Sequence, residues 1–255
     1  MSLESDHPDP FKSLLQLTTT DLPTEQQIRK AIDIGREFLG VDNGVLSYTG
    51  EGRYEVVQTN IESGPYAGGG VVDIDGTWCR HVVETGETIG FADATDSEYR
   101  GDRAIETTGL HCYVGAKVDI DGETYGTLCF SDGEPRSDPI TDRERDFVSL
   151  LAEWVGSELE RQKHYADLRE QNERLDEFTG IVAHDLRNPL STAMGYTELA
   201  LEDATGQQRE FLLTVDNAID RMEALIADLL ELARDGGDVG QRGAVDLSAL
   251  AREAW

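Results

Sequence analysis

One change of hydrophobic period divides this chain. Up to Asp138-Pro139 the apolar residues come in short runs broken by glycine and turn-forming residues; beyond it they recur at helical spacing almost without interruption to Ala200. Such a chain folds as a compact mixed domain followed by long helices. With Leu151 as heptad position a, the a and d positions are Leu151, Trp154, Glu158, Arg161, Tyr165, Leu168, Asn172, Leu175, Thr179, Val182 and Leu186. The seam is weak at Glu158 and Arg161 and regular from Tyr165 onward, which reads as a coiled-coil linker. Asn172 at an a position favours a parallel, in-register dimer, because a buried amide pairs best with its own symmetry mate. Phe211, Val215, Ala218, Met222, Leu225, Leu229 and Leu232 mark a second long helix ending at Arg234. The connection over 202–207, with Gly206 as breaker, is short, so the two helices are antiparallel neighbours and two such hairpins close a dimeric four-helix bundle. After a glycine-rich stretch, Asp246 is placed to cap a further helix carrying Leu247, Leu250 and Ala251, too short to be stable alone.

In the first part, Ile28, Ala31, Ile32, Gly35, Phe38 and Leu39 predict a helix over 25–39. Strands over 45–48 and 54–57 flank a hairpin signal at Thr49-Gly50-Glu51-Gly52. A glycine-rich loop covers 64–70, a short helix around Trp78 and His81 stops at Gly86, and 90–92 reads as a strand. The clearest sheet signal is the pair 112–118 and 125–130 joined through Asp121-Gly122, a turn that permits positive φ. The fold class is therefore α+β, an antiparallel sheet flanked by helices, joined to an all-α coil and hairpin. The divisions expected are a loose leader at 1–22, the α+β domain at 23–160, a signalling coil at 161–177, the helical hairpin at 178–234, and a linker with the start of a further region at 235–255.

Composition narrows the partners. Asp and Glu number 51 against 22 Lys and Arg, a net charge of −29, so nucleic acid and anionic membrane surfaces are excluded as expected partners. Lysine is nearly absent, a pattern resembling proteins of high-salt cytoplasm. No apolar stretch approaches a membrane span, and the start MSLESDHPDP lacks an export signal, so the expected location is cytoplasmic. Cys79, Cys112 and Cys129 contain no CxxC pair and suit a reducing compartment.

The chemistry is concentrated in FTGIVAHDLRNPL, residues 178–190. With Val182 at d, His184 falls at f and faces away from the seam. Asp185 is adjacent, Arg187 follows at i+3, and Asn188 at i+4 projects from the same face. Pro189 removes the hydrogen bond to the Asp185 carbonyl and should kink the helix beside the histidine. A largely neutral imidazole is a nucleophile at pH 7, and a neighbouring carboxylate can orient it and take its proton as phosphate is attached.

This segment resembles the phosphoacceptor box of sensor histidine kinases, whose dimerisation and phosphotransfer domain is such a helical hairpin; residues 165–234 match in order and spacing. The family usually has Glu after the histidine and often Thr where Asn188 stands. The resemblance implies that His184 accepts phosphate, that Asp185 is the general base, that Arg187 lies near the phosphate, and that Asn188 positions water when phosphate is removed from a partner. The expected partners are a second copy of the chain, a response-regulator receiver domain and an ATP-binding catalytic domain. ATP and Mg would enter only through that domain, because no P-loop or Asn box occurs here, and Gly236-Gly237-Asp238-Val239-Gly240 lacks a following helix pattern. The chain alone is thus expected to be inactive as a kinase.

The segments TWCRHVV (77–83), FADA (91–94) and YVGAKVDIDGETYGTLCF (113–130) resemble GAF sensor domains, which implies a small-molecule pocket over the sheet or a dimerising role. Cys79, His81, His111, Cys112 and Cys129 are the candidate ligand-binding residues; thiolate and imidazole suit zinc, haem or a redox switch. Set against that, free cysteine in apolar strands is ordinary core, so no metal and no cofactor are expected in this chain. His111-Cys112-Tyr113 resembles the chromophore box of phytochrome-like domains with its Cys and His in reversed order, which argues against a bilin. Two rival readings accompany the sensor kinase: a phosphotransfer or scaffold protein phosphorylated in trans, and a Cys-based sulfoxide reductase, which requires an exposed low-pKa thiol.

Overall fold

The computed structural model describes residues 9–50 and 53–235. The chain forms two compact units that divide between His164 and Tyr165.

The first unit is built on a six-stranded sheet of β1 (Asn43–Tyr48), β2 (Arg53–Thr59), β3 (Val71–Asp73), β4 (Ile89–Phe91), β5 (Cys112–Ile120) and β6 (Glu123–Asp132). The strands lie in the order β3-β2-β1-β6-β5-β4, and every neighbouring pair is antiparallel. Strands β5 and β6 join through Asp121 and Gly122 with φ of 54° and 78°, the doubly positive turn whose twist matches the strands it connects. Strand alternation sorts the side chains of this central pair into two cores. Leu128 and Phe130 of β6, with Cys112, Val114, Ala116 and Val118 of β5, face α1 (Pro10–Leu17), α2 (Thr24–Leu39) and the start of α5 (Asp142–Asp203). Tyr113 and Cys129 face the other way, into a core with Tyr54, Trp78 and Phe91 under α3 (Cys79–Thr85) and α4 (Arg103–Thr108). Helix α2 lies close on the sheet because Gly35 has no side chain: a Cβ there would sit 2.2 Å from Phe130 Cζ.

Three features differ from expectation. The stretch 1–22 is not uniformly a loose leader: α1 forms within it, with Leu14 and Leu17 buried in the core. Asp9 Oδ1 accepts the Phe11 N–H at 3.3 Å, and Pro10 opens the helix where a missing N–H leaves no bond unmade. Residues 1–8 lie outside the described residues. Strand β3 and helix α4 carry too few residues to show a period and had no expectation. Finally, Leu151 is fully buried and Trp154 packs partly against the same core, so the first two heptad positions face the sheet rather than a coiled-coil partner. The helix starts cleanly: Thr141 and Glu144 form a reciprocal capping box, with Thr141 N–H donating to Glu144 Oε2 at 2.7 Å and Glu144 N–H donating to Thr141 Oγ1 at 3.3 Å.

The second unit is the helical hairpin of the rest of α5 and α6 (Gly206–Asp235). Its α5 segment buries Thr179, Ala183 and Thr197, with Val182, Leu190 and Met194 half-buried, and Ala204 is buried just past its end; α6 buries Ile219 and Ile226, with Leu212 half-buried, a seven-residue repeat. The expected seam on α6 is a different stripe: Phe211, Val215, Met222, Leu225 and Leu229 are exposed in the single chain, as are Tyr165, Leu168, Asn172 and Leu175 on α5. The side chain of Leu232 and the expected final helix at Asp246 lie outside the described residues. Among the described residues no helix is long and apolar enough to cross a membrane.

Candidate functional site

His184 follows Ala183, which is only 1% exposed, and a helix turns about 100° per residue, so burial of the one carries the other away from the packed face. The His184 side chain is 74% exposed and that of Asp185 is 72% exposed. The two meet at 3.2 Å between Nδ1 and Oδ1. A carboxylate at Nδ1 retains the proton there and leaves the Nε2 lone pair pointing outward. Arg187 and Asn188 are exposed on the following turn, and the Asn188 carbonyl accepts the Thr192 hydroxyl at 3.0 Å. Pro189 lies inside the helix, which runs on to Asp203; lacking an N–H, it offers the Asp185 carbonyl no helical donor. The arrangement is a solvent-facing imidazole with a carboxylate at its Nδ1, on a helix.

The first unit has a second chemical centre. Cys79, the first residue of α3, and Cys129, in β6, bring their Sγ atoms to 3.7 Å. The Tyr113 hydroxyl donates to Cys79 Sγ at 3.4 Å. Burial pushes the Cys79 thiol up, but hydrogen bonds from Cys129, Thr127, Tyr113 and Tyr54 outweigh it and leave the group at about 7. The same thiol–thiol hydrogen bond, reinforced by burial, holds Cys129 well above the ordinary thiol range. Both sulfurs line a cavity of about 60 Å³ with Val45, Tyr54, Trp78 and Tyr113.

The other candidates do not converge there. Cys112 projects into the opposite core, where burial pushes its thiol to about 11. His81 bonds through Nε2 to Asp102 Oδ2 at 2.8 Å, and Asp102, held below the usual carboxylate range by hydrogen bonds and cations that outweigh its burial, also takes Arg80 at 2.5 Å. His111 Nδ1 lies 3.9 Å from Asp93 Oδ1. All three cysteines are buried, so none is exposed at the surface as the sulfoxide-reductase reading expects. Asp121, Glu160 and His164 place three metal-type ligand atoms within 4.8 Å of one another at the surface, with Asp121 already paired to Lys163. Sequence reading missed Tyr54, Tyr113 and Asp102, since each acts on a residue far along the chain. For Tyr113 and Cys129 the two-residue alternation of β5 and β6 was a usable signal once their register was known.

Comparison with known proteins gives matches over both units. Residues 23–159 match the GAF domain and residues 174–237 the His Kinase A (phospho-acceptor) domain. The probable sensor histidine kinase TcrY of Mycobacterium tuberculosis is 32% identical over 125 residues, 48% of this chain and 25% of that protein. The adaptive-response sensory kinase SasA of Synechococcus elongatus is 33% identical over 87 residues, 30% of this chain and 22% of that protein. This chain therefore spans a quarter or less of these relatives' length. Among solved structures, the GAF domain of an Acinetobacter phosphoenolpyruvate-protein phosphotransferase superposes with a TM-score of 0.51 at 11% identity, covering 62% of this chain and 97% of that one. A phycoerythrobilin-bound GAF domain of a cyanobacterial phytochrome gives 0.51 at 14% identity, covering 62% and 99%. At these identities the likeness is one of fold.

Proposed function

The chain belongs to the GAF domain family and with its phospho-acceptor domain has the make-up of the sensor portion of a two-component histidine kinase; on that footing we propose that GAF input controls phosphorylation of His184 and onward transfer to a response-regulator aspartate. The observation that carries the proposal is the exposed imidazole with Asp185 at its Nδ1. Nε2 attacks the terminal phosphorus of ATP, which arrives with Mg on an ATP-binding domain. The N–P bond forms as the bond to the leaving diphosphate breaks, and the Nδ1 proton passes to Asp185. Transfer to the receiver reverses the roles, with a carboxylate oxygen displacing the imidazole. Arg187 is a cation beside the phosphoryl group. Asn188 has no proton to exchange, so its role is to hold a water in line with the regulator's phosphoaspartate.

The assembly is a parallel homodimer. Helix α6 is apolar on two sides: Ile219 and Ile226 are buried within the single chain, whereas Val215, Met222, Leu225 and Leu229 are not. A second copy supplies the matching stripe, with Asn172 setting register in the coil. Three free cysteines suit a reducing cytoplasm.

The test mixes the chain with a histidine-kinase ATP-binding domain, labelled ATP and a receiver domain. Acid-labile label is expected on the chain, none on His184→Gln, and near-normal label on Asn188→Ala with loss of receiver dephosphorylation. Label persisting in His184→Gln would sink the phosphoacceptor assignment, and undiminished dephosphorylation in Asn188→Ala the water-holding role.

A further inference from the structure

We infer that Cys79 and Cys129 form a reactive dithiol, closed to a disulfide by small hydroperoxides that enter the cavity lined by both sulfurs. The two thiols come from different elements, the first residue of α3 and the middle of β6, and lie 50 positions apart in sequence, yet their Sγ atoms are 3.7 Å apart. A disulfide needs about 2.05 Å, so the gap to close is about 1.7 Å, within reach of side-chain rotation. Tyr113 donates to Cys79 Sγ, as a donor to a thiolate would. Only Cys79 of the three cysteines is shifted downward, and its partner is shifted upward, which separates an attacking sulfur from a resolving one.

The cavity sets the class of oxidant. Its volume of about 60 Å³ admits a molecule of a few heavy atoms, since roughly 10–15 Å³ of such space already holds a water. Half-buried Asn43, Ile61, Tyr66 and Thr108 stand on its lining, while the sulfurs beneath are buried. Hydrogen peroxide fits, and the burial of both sulfurs disfavours a bulky peptide disulfide.

The chemistry closes without another reactant. The Cys79 thiolate attacks one peroxide oxygen, the O–O bond breaks, and the departing oxygen takes a proton to leave as water or an alcohol. The sulfenic acid left on Cys79 is then attacked by Cys129 sulfur; the S–S bond forms, the S–O bond breaks, and hydroxide leaves with the Cys129 proton as water. Two thiols lose two electrons and two protons, and one peroxide is reduced.

This inference rests on the geometry of the GAF domain and not on the phosphoacceptor reading, and its readout is a sulfur–sulfur bond. The full chain is reduced, desalted without oxygen, exposed to hydrogen peroxide, quenched, alkylated in denaturant and mapped by mass spectrometry. Cys79 and Cys129 should lose alkylation together and appear as one intramolecular linked pair, while Cys112 stays fully alkylated. Cys129→Ser should stop at a Cys79 sulfenic acid trapped by a cyclic dione; the wild-type map stands whether or not that variant folds. Glutathione disulfide over the same period should leave both thiols free. The inference is overturned if both thiols remain alkylatable after peroxide, if the link involves Cys112 or a second chain, or if glutathione disulfide oxidises the pair as fast as peroxide.

Discussion

Leu225→Ala should weaken self-association without unfolding the hairpin, because Leu225 lies on the outer stripe of α6 and not on the inner one. In the single chain it is 60% exposed, so pairing has at most that share of a leucine's burial energy left to gain. Full burial of such a side chain contributes ~1.5–3 kcal/mol, which leaves roughly 1–2 kcal/mol per copy and about 2–4 per dimer. At about 1.4 kcal/mol per factor of ten, the dimer dissociation constant should rise roughly 30- to 700-fold. Sedimentation equilibrium in molar KCl reads that constant directly, and circular dichroism on the same samples reports helix content. Ile219→Ala is the contrast: at 3% exposure its truncation costs ~2–5 kcal/mol of the hairpin's own packing, so helicity and cooperative melting should suffer first. A wild-type chain that sediments as a monomer at micromolar concentration would refute the two-stripe argument. So would a Leu225→Ala dimer as tight as wild type.

Three further outcomes follow from the structure. Thermal stability should rise steeply from dilute buffer to molar KCl, because −29 charges repel over a screening length that falls from ~30 Å at 0.01 M to ~3 Å at 1 M; equal melting temperatures would refute the salt-adapted reading. Gly35→Ala should lower the melting temperature although alanine is the better helix former by about 1 kcal/mol, since the new methyl meets the fully buried Phe130 ring and overpacking costs ~1–3 kcal/mol; a raised melting temperature would show that the ring yields. Intramolecular oxidation by peroxide should accelerate as pH rises through about 7, where Cys79 becomes thiolate, and a rate flat from pH 6 to 8 would contradict that assignment.

What the sequence made legible was whatever depends on neighbours along the chain. The Asp121-Gly122 turn, the alternation through 112–130 and the long helical periods each announce themselves within a dozen residues, and the strands and helices form there. The exposure of His184 beside Asp185 was legible for the same reason: its neighbours occupy one helical turn. The Cys79–Cys129 approach was not, since it depends on where α3 lands on β6, and no local pattern encodes that. Helix α6 shows a subtler difficulty. It carries two apolar stripes, and the longer one, from Phe211 to Leu229, dominates the period over Ile219 and Ile226, the pair that the chain itself buries. Periodicity identifies an apolar face but not which partner covers it.

Strand β6 ties the dithiol to the helix that bears the histidine. It presents Cys129 to one core and Leu128 and Phe130 to the other, where they share packing with Phe147, Val148 and Leu151 of α5. Rotating the Cys129 side chain to close the sulfur gap disturbs the packing around β6, and a close-packed interior passes such a change to its neighbours. Helix α5 is continuous from Asp142 to Asp203 and includes His184, so a disturbance of this packing falls on the helix that carries the proposed phosphoacceptor. Peroxide treatment should therefore change the rate of His184 labelling by an added ATP-binding domain, by about five-fold or more if the coupling reaches ~1 kcal/mol. Cys129→Ser should be insensitive. Leu128→Ala, which loosens the strand's grip on α5 without touching either sulfur, should still form the disulfide but lose most of the rate change. Equal labelling rates in reduced and oxidised chain, with the disulfide verified by mass in the same sample, would separate the two chemistries and leave the dithiol without a route to His184.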